Sequence, residues 1–294
     1  MKTIFNVLFL LVLGSVCYAQ TTLAYTLKKD DVFTIRQDAE QIITQTMDGT
    51  AHEITNNING ILEFKVIDEL EDNYHIAMRF KDLNLRMTSN IQGELMNVHA
   101  KEIVEGDLQS KIFNSLLEIP VELTLAKNGD IINISGGDSL IIKMAEASGI
   151  ENEFQMNMMK KSLEKEFGSE ALSNSYKQMT FIYPKNKVNI GDSWENEYTG
   201  KLNAKNTWTL GAIAAEGATI SGTADIVMNV EDDATNMKLS GTQQTKITTD
   251  SSSGFVRLMT VEGQAEGIST MAQLGDTEIP TTVSSTITYK LINQ

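Results

Sequence analysis

Between Val32 and Met47 the chain largely alternates between apolar and polar residues. Odd positions carry Phe33, Ile35, Ala39, Ile43 and Met47; even positions carry Thr34, Arg36, Asp38, Glu40, Thr44 and Thr46. A period of two sends the two sets to opposite sides of a β-strand, one buried and one wet. Asp48-Gly49 follows, the composition favoured in a tight hairpin turn whose two residues both take positive φ. The return strand sets Ile54, Ile58, Leu62, Phe64 and Val66 on one face. After Glu71-Asp72-Asn73, Tyr74, Ile76, Met78 and Phe80 alternate, and the phase then slips to Leu83, Leu85 and Met87. A slip near Lys81-Asp82 predicts a β-bulge. Strands of about 15 to 20 residues are roughly three times the usual length. Strands that long must twist and coil, so a curved sheet is expected.

The second half repeats the pattern. Trp208, Leu210, Ala212 and Ala214 alternate up to Glu216-Gly217, and Ala218 to Met228 alternate after it. Met237–Ile247 and Phe255–Val261 read as a hairpin across Asp250–Gly254. In the last strand Val283, Ser285, Ile287, Tyr289 and Leu291 oppose Thr282, Ser284, Thr286, Thr288 and Lys290. A strand this regular is expected inside the sheet.

Between the halves the period becomes helical. Asp138 is positioned to cap a short helix through Ala147, stopped by Gly149. A longer helix is predicted over Glu151–Phe167. Ser169 is positioned to cap a third, with Leu172, Tyr176 and Met179 on one face and Pro184 ending it. A further helix is predicted over Glu102–Leu117, before Pro120 and interrupted by Gly106. The halves read as two copies of one unit. Lys29–Phe33 matches Ile190–Trp194, the hairpin Phe64–Phe80 matches Trp208–Ile226, and Lys127–Ile131 matches Ser252–Val256. The expected fold is β-rich α+β: a long, curved, mainly antiparallel sheet, a half-barrel of two repeated units, with a helical insert on its concave face. The units run over 20–137 and 181–294 with the insert at 138–180, in one continuous domain.

Residues 1–19 read as a signal peptide: Lys2, the apolar run Ile4–Leu13, and a small residue before a cut near Ala19-Gln20. The run is too short to span a bilayer, and no second apolar run of that kind follows, so no transmembrane anchor is expected. The expected location is periplasmic or secreted. Cys17 is the alternative processing site, as a lipidated cysteine, but the bulky Val16 before it is unfavourable. The chain has 1 cysteine, so no internal disulfide is available and the core must supply the stability. A formal charge of −15 disfavours nucleic acid and anionic membrane surfaces, since both reward lysine and arginine.

Few residues invite chemistry. Gly191-Asp192-Ser193 is similar to the start of some serine hydrolases, which need a histidine to activate the serine. The 3 histidines, His52, His75 and His99, all precede residue 100. No enzyme is expected. The hairpin register separates His52 from His75, so no metal is expected. Asp30-Asp31 and Glu231-Asp232-Asp233 read as turns, without the spaced oxygens of a calcium loop. No cofactor motif is present. The candidate ligand-binding residues are Phe154, Met156, Met158, Met159 and Leu163. At 100° per residue, Met156, Met159, Leu163 and Phe167 share one side of the helix, with Phe154 and Met158 opposite. A helix apolar on two sides either lies between layers or touches a partner. Methionine adapts to irregular apolar partners. The helix is thus a plug on the concave face, or an adjustable lid over an apolar ligand.

The stretch Tyr183-Pro184-Lys185-Asn186-Lys187-Val188-Asn189-Ile190-Gly191-Asp192-Ser193-Trp194-Glu195, with the leader ending in Ala19-Gln20, resembles an uncharacterised family of secreted proteins from Bacteroidetes-type bacteria. That family shares a mid-chain Gly-Asp-Ser-Trp signature. Physically the motif starts a strand: Gly191-Asp192 turns the chain and Trp194 anchors it. The expected architecture also resembles the half-barrel of periplasmic lipoprotein carriers. The function expected is an extracytoplasmic, non-enzymatic binding protein for an apolar small molecule or lipid. The alternative is a protein-interaction or envelope-structural module with a protein partner.

Overall fold

The computed structural model describes residues 20–231, 235–275 and 277–293. The leader, Cys17 and Asp232-Asp233 lie outside the described residues. One sheet contains β1 (Val32–Met47), β2 (Thr50–Glu69), β3 (Asn73–Ser89), β4 (Gly93–His99), β5 (Val121–Ala126), β6 (Ile131–Ser135), β7 (Ser193–Tyr198), β8 (Leu202–Ala214), β9 (Gly217–Glu231), β10 (Thr235–Thr249), β11 (Val256–Met271) and β12 (Ile279–Asn293). Its order is β6-β5-β3-β2-β1-β12-β11-β10-β9-β8-β7, with β4 on the far part of β3. Four helices, α1 (Leu108–Asn114), α2 (Gly137–Ala147), α3 (Glu153–Phe167) and α4 (Ser169–Thr180), lie between β4 and β7 in the chain.

The long alternations become strands of 16, 20 and 17 residues in β1 to β3. Asp48 and Gly49 take φ of 49° and 76°, the left-handed pair a tight hairpin requires. Ile61 pairs with Asp82 and Leu62 with Phe80, leaving Lys81 as the extra residue of a bulge.

The repeat extends to individual atoms. The Asp31 carboxylate accepts from the Lys28 N–H at 2.8 Å, and the Asp192 carboxylate accepts from the Asn189 N–H at 2.8 Å. Asp30 and Gly191, at the same step of each turn, both have positive φ. Phe33 then pairs with Phe64 across β1 and β2, while Trp194 pairs with Trp208 across β7 and β8. The two meanders are β1-β2-β3-β5-β6 and β7-β8-β9-β10-β11; β12 joins them by pairing with both β1 and β11.

Trp194 is half-buried against the core, and its indole N–H donates to the Ile182 carbonyl at 3.1 Å. Phe33, its counterpart, is fully buried. Trp194→Ala should therefore cost about 2 kcal/mol, below the range for a fully buried tryptophan. An unchanged midpoint of urea unfolding would remove Trp194 from the structural framework.

One end of the sheet is closed by two crossing segments. Residues 21 and 188 form an isolated bridge; the Tyr25 N–H donates to Lys127 O at 2.8 Å and the Thr26 N–H to Ser253 O at 2.7 Å. The crossings are close because two glycines permit them. A Cβ on Gly129 (φ 91°) would lie 1.7 Å from the Thr180 carbonyl oxygen; one on Gly254 (φ 68°) would lie 2.4 Å from that of Ala24. Above these turns Phe33 and Phe255 stack at 4.2 Å, Tyr25 and Phe64 also meet Phe255, and Tyr183 meets Tyr25 edge-on. Leu172, Tyr176 and Met179 of α4 and Leu140 and Met144 of α2 complete this core. α4 touches both β6 and β7, the two edges of the sheet.

The helix starts differ from expectation. Gly136, at φ 97°, caps α2, and Asp138 lies in its first turn. Gly168 caps α4, and Ser169 is its first residue. Only Leu108–Asn114 of the Glu102–Leu117 stretch is helical, capped by Asp107, because Gly106 at φ 89° turns the chain.

Candidate functional site

α3 packs on α2 and α4, forming an outer layer over the insert. Its inner side carries Met156, Met159, Leu163 and Phe167, all half-buried. Phe167 fixes the helix by meeting Phe80 and Phe113 edge-on at 6.4 and 6.0 Å. Phe154 and Met158 face outward and are exposed. The helix is therefore not held between two layers: one apolar side packs and the other is open. The sheet's concave face is plugged by α4 and α2 instead.

A cavity of about 790 Å³ remains between the concave face and the α3–α4 corner. Its floor comes from Gln37 of β1, Ile287 and Tyr289 of β12, Tyr198 at the end of β7 and Leu202 at the start of β8. Its walls come from Glu164–Glu166 of α3 and from Ser169, Glu170, Asn174 and Gln178 of α4. None of Phe154, Met156, Met158, Met159 and Leu163 lines it. The residues of α3 that do are the charged ones of its last turn.

The floor is electrically neutral. Burial pushes the Tyr198 phenol up to about 12, an effect tempered by the neighbouring Gln243 and Gln178. Burial also raises Tyr289 and Tyr176. All three keep their protons throughout the physiological range. Gln178 donates to Gln243 at 3.1 Å, and the buried Tyr198 hydroxyl lies beside this pair without completing a hydrogen bond to a described residue. The charged lining residues are Asp138, Glu164, Lys165, Glu166, Glu170 and Lys201, and Lys201 pairs with Glu166.

The other candidates are placed apart. Gly191 and Asp192 form the turn before β7, and the Ser193 hydroxyl meets Thr209 Oγ1 at 2.9 Å rather than a histidine. His52 pairs with Gln45 and His75 with Asp68, at opposite ends of the β2 strand. Among the described residues, no three His, Cys, Asp or Glu side chains gather as a metal site. The sequence reading missed Tyr198. Its signal was the short alternation Trp194-Glu195-Asn196-Glu197-Tyr198, which places Tyr198 on the same face as Trp194.

These features define a class: a single curved antiparallel sheet, closed at one end, with helices covering its concave face over a neutral-floored cavity. The chain belongs to the DUF6263 family, a family of unknown function, whose model matches residues 71–256. No curated protein matches the sequence. Among solved structures, one described as lipid–protein interactions in lipovitellin is similar at a TM-score of 0.50 and 12% identity. The match covers 91% of this chain and 26% of the lipovitellin chain, so this protein spans about a quarter of that one. DynF from the dynemicin pathway of Micromonospora chersina matches at TM-score 0.26 and 6% identity, over 92% of this chain and 84% of that chain. The translocator domain of the autotransporter NalP from Neisseria meningitidis matches at 0.21 and 10%, over 88% of each chain. The lipovitellin likeness shows a shared fold; the other two are too distant in shape to carry an argument. Among the described residues, no helix is long and apolar enough to cross a membrane.

Proposed function

We propose that this protein is a non-enzymatic extracytoplasmic binding protein whose apolar or lipid-like ligand sits between the sheet and the helical insert. The observation that carries this reading is the cavity of about 790 Å³ lined by Ile287, Leu202, Tyr198 and Tyr289 on the sheet side and by charged residues of the helices and Lys201. That size falls within the roughly 300–1,000 Å³ of small-molecule sites, which combine an apolar lining with a few polar groups. An amphiphile with its chain on the floor and its head at the rim matches this distribution. The likeness to a structure concerned with lipid–protein interactions supports the same ligand class. The apolar run Ile4–Leu13 supports export, with the mature chain starting at Gln20.

Native mass spectrometry on protein purified from its original host tests both parts. The expected spectrum has a polypeptide starting at Gln20 and an adduct of lipid mass that is lost on denaturation. A chain retaining residues 1–19 would overturn export. A diacylglyceryl group on Cys17 would convert the protein to a lipoprotein. A bare chain that also ignores the fluorescent probe N-phenyl-1-naphthylamine would overturn the ligand.

A further inference from the structure

Along α3, Phe154, Met158, Lys161 and Lys165 fall within about 60° of one another at 100° per residue. This stripe lies opposite Met156, Leu163 and Phe167. Phe154 is 72% exposed and Met158 58% exposed, so neither covers any core of this chain. Glu166 pairs with Lys201, and Glu164 stands at the edge of the cavity, about 60° from Lys161 around the helix. Among the described residues, Lys161 and Lys165 enter no such pair. The outer face of the helix is thus apolar at its start and cationic toward its end.

We propose that this stripe docks the protein on an anionic phospholipid surface. Phe154 and Met158 enter the boundary between head groups and acyl chains, and Lys161 and Lys165 extend their stems to the lipid phosphates. The overall charge of −15 opposes the approach. At physiological salt that repulsion decays over about 8 Å, whereas the lysine–phosphate contacts are direct. Two lysines at such a surface strengthen binding about thirtyfold, from about 1 kcal/mol each. The last turn of the same helix forms part of the cavity rim, so docking brings the rim to the lipid. The use of docking for ligand exchange rests on the ligand reading above; the docking itself does not.

The test is co-sedimentation of the mature chain with vesicles of equal parts phosphatidylcholine and phosphatidylglycerol. Wild type should bind these and bind pure phosphatidylcholine vesicles more weakly. The double variants F154D/M158D and K161E/K165E should each lose at least tenfold in binding. F154D/M158D should keep the wild-type melting temperature, since both side chains are exposed, and should still take up N-phenyl-1-naphthylamine in solution. A wild type that ignores anionic vesicles, or variants that bind them equally well, would overturn the docking surface. Docking without probe uptake would instead overturn the ligand reading and leave the surface standing. A dimer in light scattering that F154D/M158D splits would assign the stripe to a second copy of the chain and overturn the proposal.

Discussion

Trp208→Ala should lower stability by about 3–5 kcal/mol, the usual cost of truncating a fully buried large aromatic. Trp208 is among the most buried side chains and lies flat on Gly222, where a Cβ would come within 2.4 Å of its ring. Gly222, directly opposite on β9, has no side chain to collapse into the void. The loss is also polar. The indole N–H donates to Asn196 Oδ1 at 3.0 Å; Asn206 donates to the same oxygen at 3.1 Å, and Asn196 donates to Phe181 O at 2.7 Å. Trp208→Phe keeps most of the volume but removes the N–H, and should cost about 1–2 kcal/mol. Urea unfolding at constant slope reads both values. A loss for Trp208→Ala no larger than that for Trp208→Phe would show that the void is refilled.

Gly129→Ala should cost about 3 kcal/mol or more. Its φ of 91° is strained for any residue with a Cβ, a penalty of about 1–3 kcal/mol. The added carbon would also lie 1.7 Å from Thr180 O and 2.6 Å from Thr180 C. Both are backbone atoms, so a main-chain segment has to move, at the further cost of overpacking. The same shift would break the Tyr25 hydroxyl bond to Thr180 O, now 3.1 Å. Gly49→Ala is the control: its φ is 76° but nothing lies within 4 Å of the added carbon. It should cost about 1 kcal/mol. Equal melting temperatures for the two variants would show that the crossing at Thr180 is loose.

Strand positions were legible because alternation over 15 residues or more repeats its signal many times, and because Asp48-Gly49 and Lys81 each leave a local mark. Strands β4, β5 and β6 were not, since five to seven residues hold too few periods to stand out. Helix starts were misread where glycine rather than a side-chain oxygen caps, as at Gly136 and Gly168. The cavity was hidden because its α3 wall is Glu164-Lys165-Glu166, which any periodicity assigns to a wet surface. Of the methionines named in its place, Met156 and Met159 bear on helix packing, which hydrophobicity detects, while Met158 lies on the open face.

The position of β12 has a consequence for assembly. Thr34 pairs with Asn293 and Leu258 with Lys290, so this strand bonds to the first strand of one meander and the last of the other. Each meander is built from neighbours in sequence and can zip locally as hairpins. The seam between them spans nearly the whole polypeptide, and contacts of such sequence separation form slowly because loop closure precedes any gain from pairing. Until Ile279–Asn293 is available, β1 and β11 each present a row of unsatisfied amide and carbonyl groups. The order of synthesis therefore sets the order of assembly: two half-sheets first, and a continuous wall only when the final strand is inserted between them.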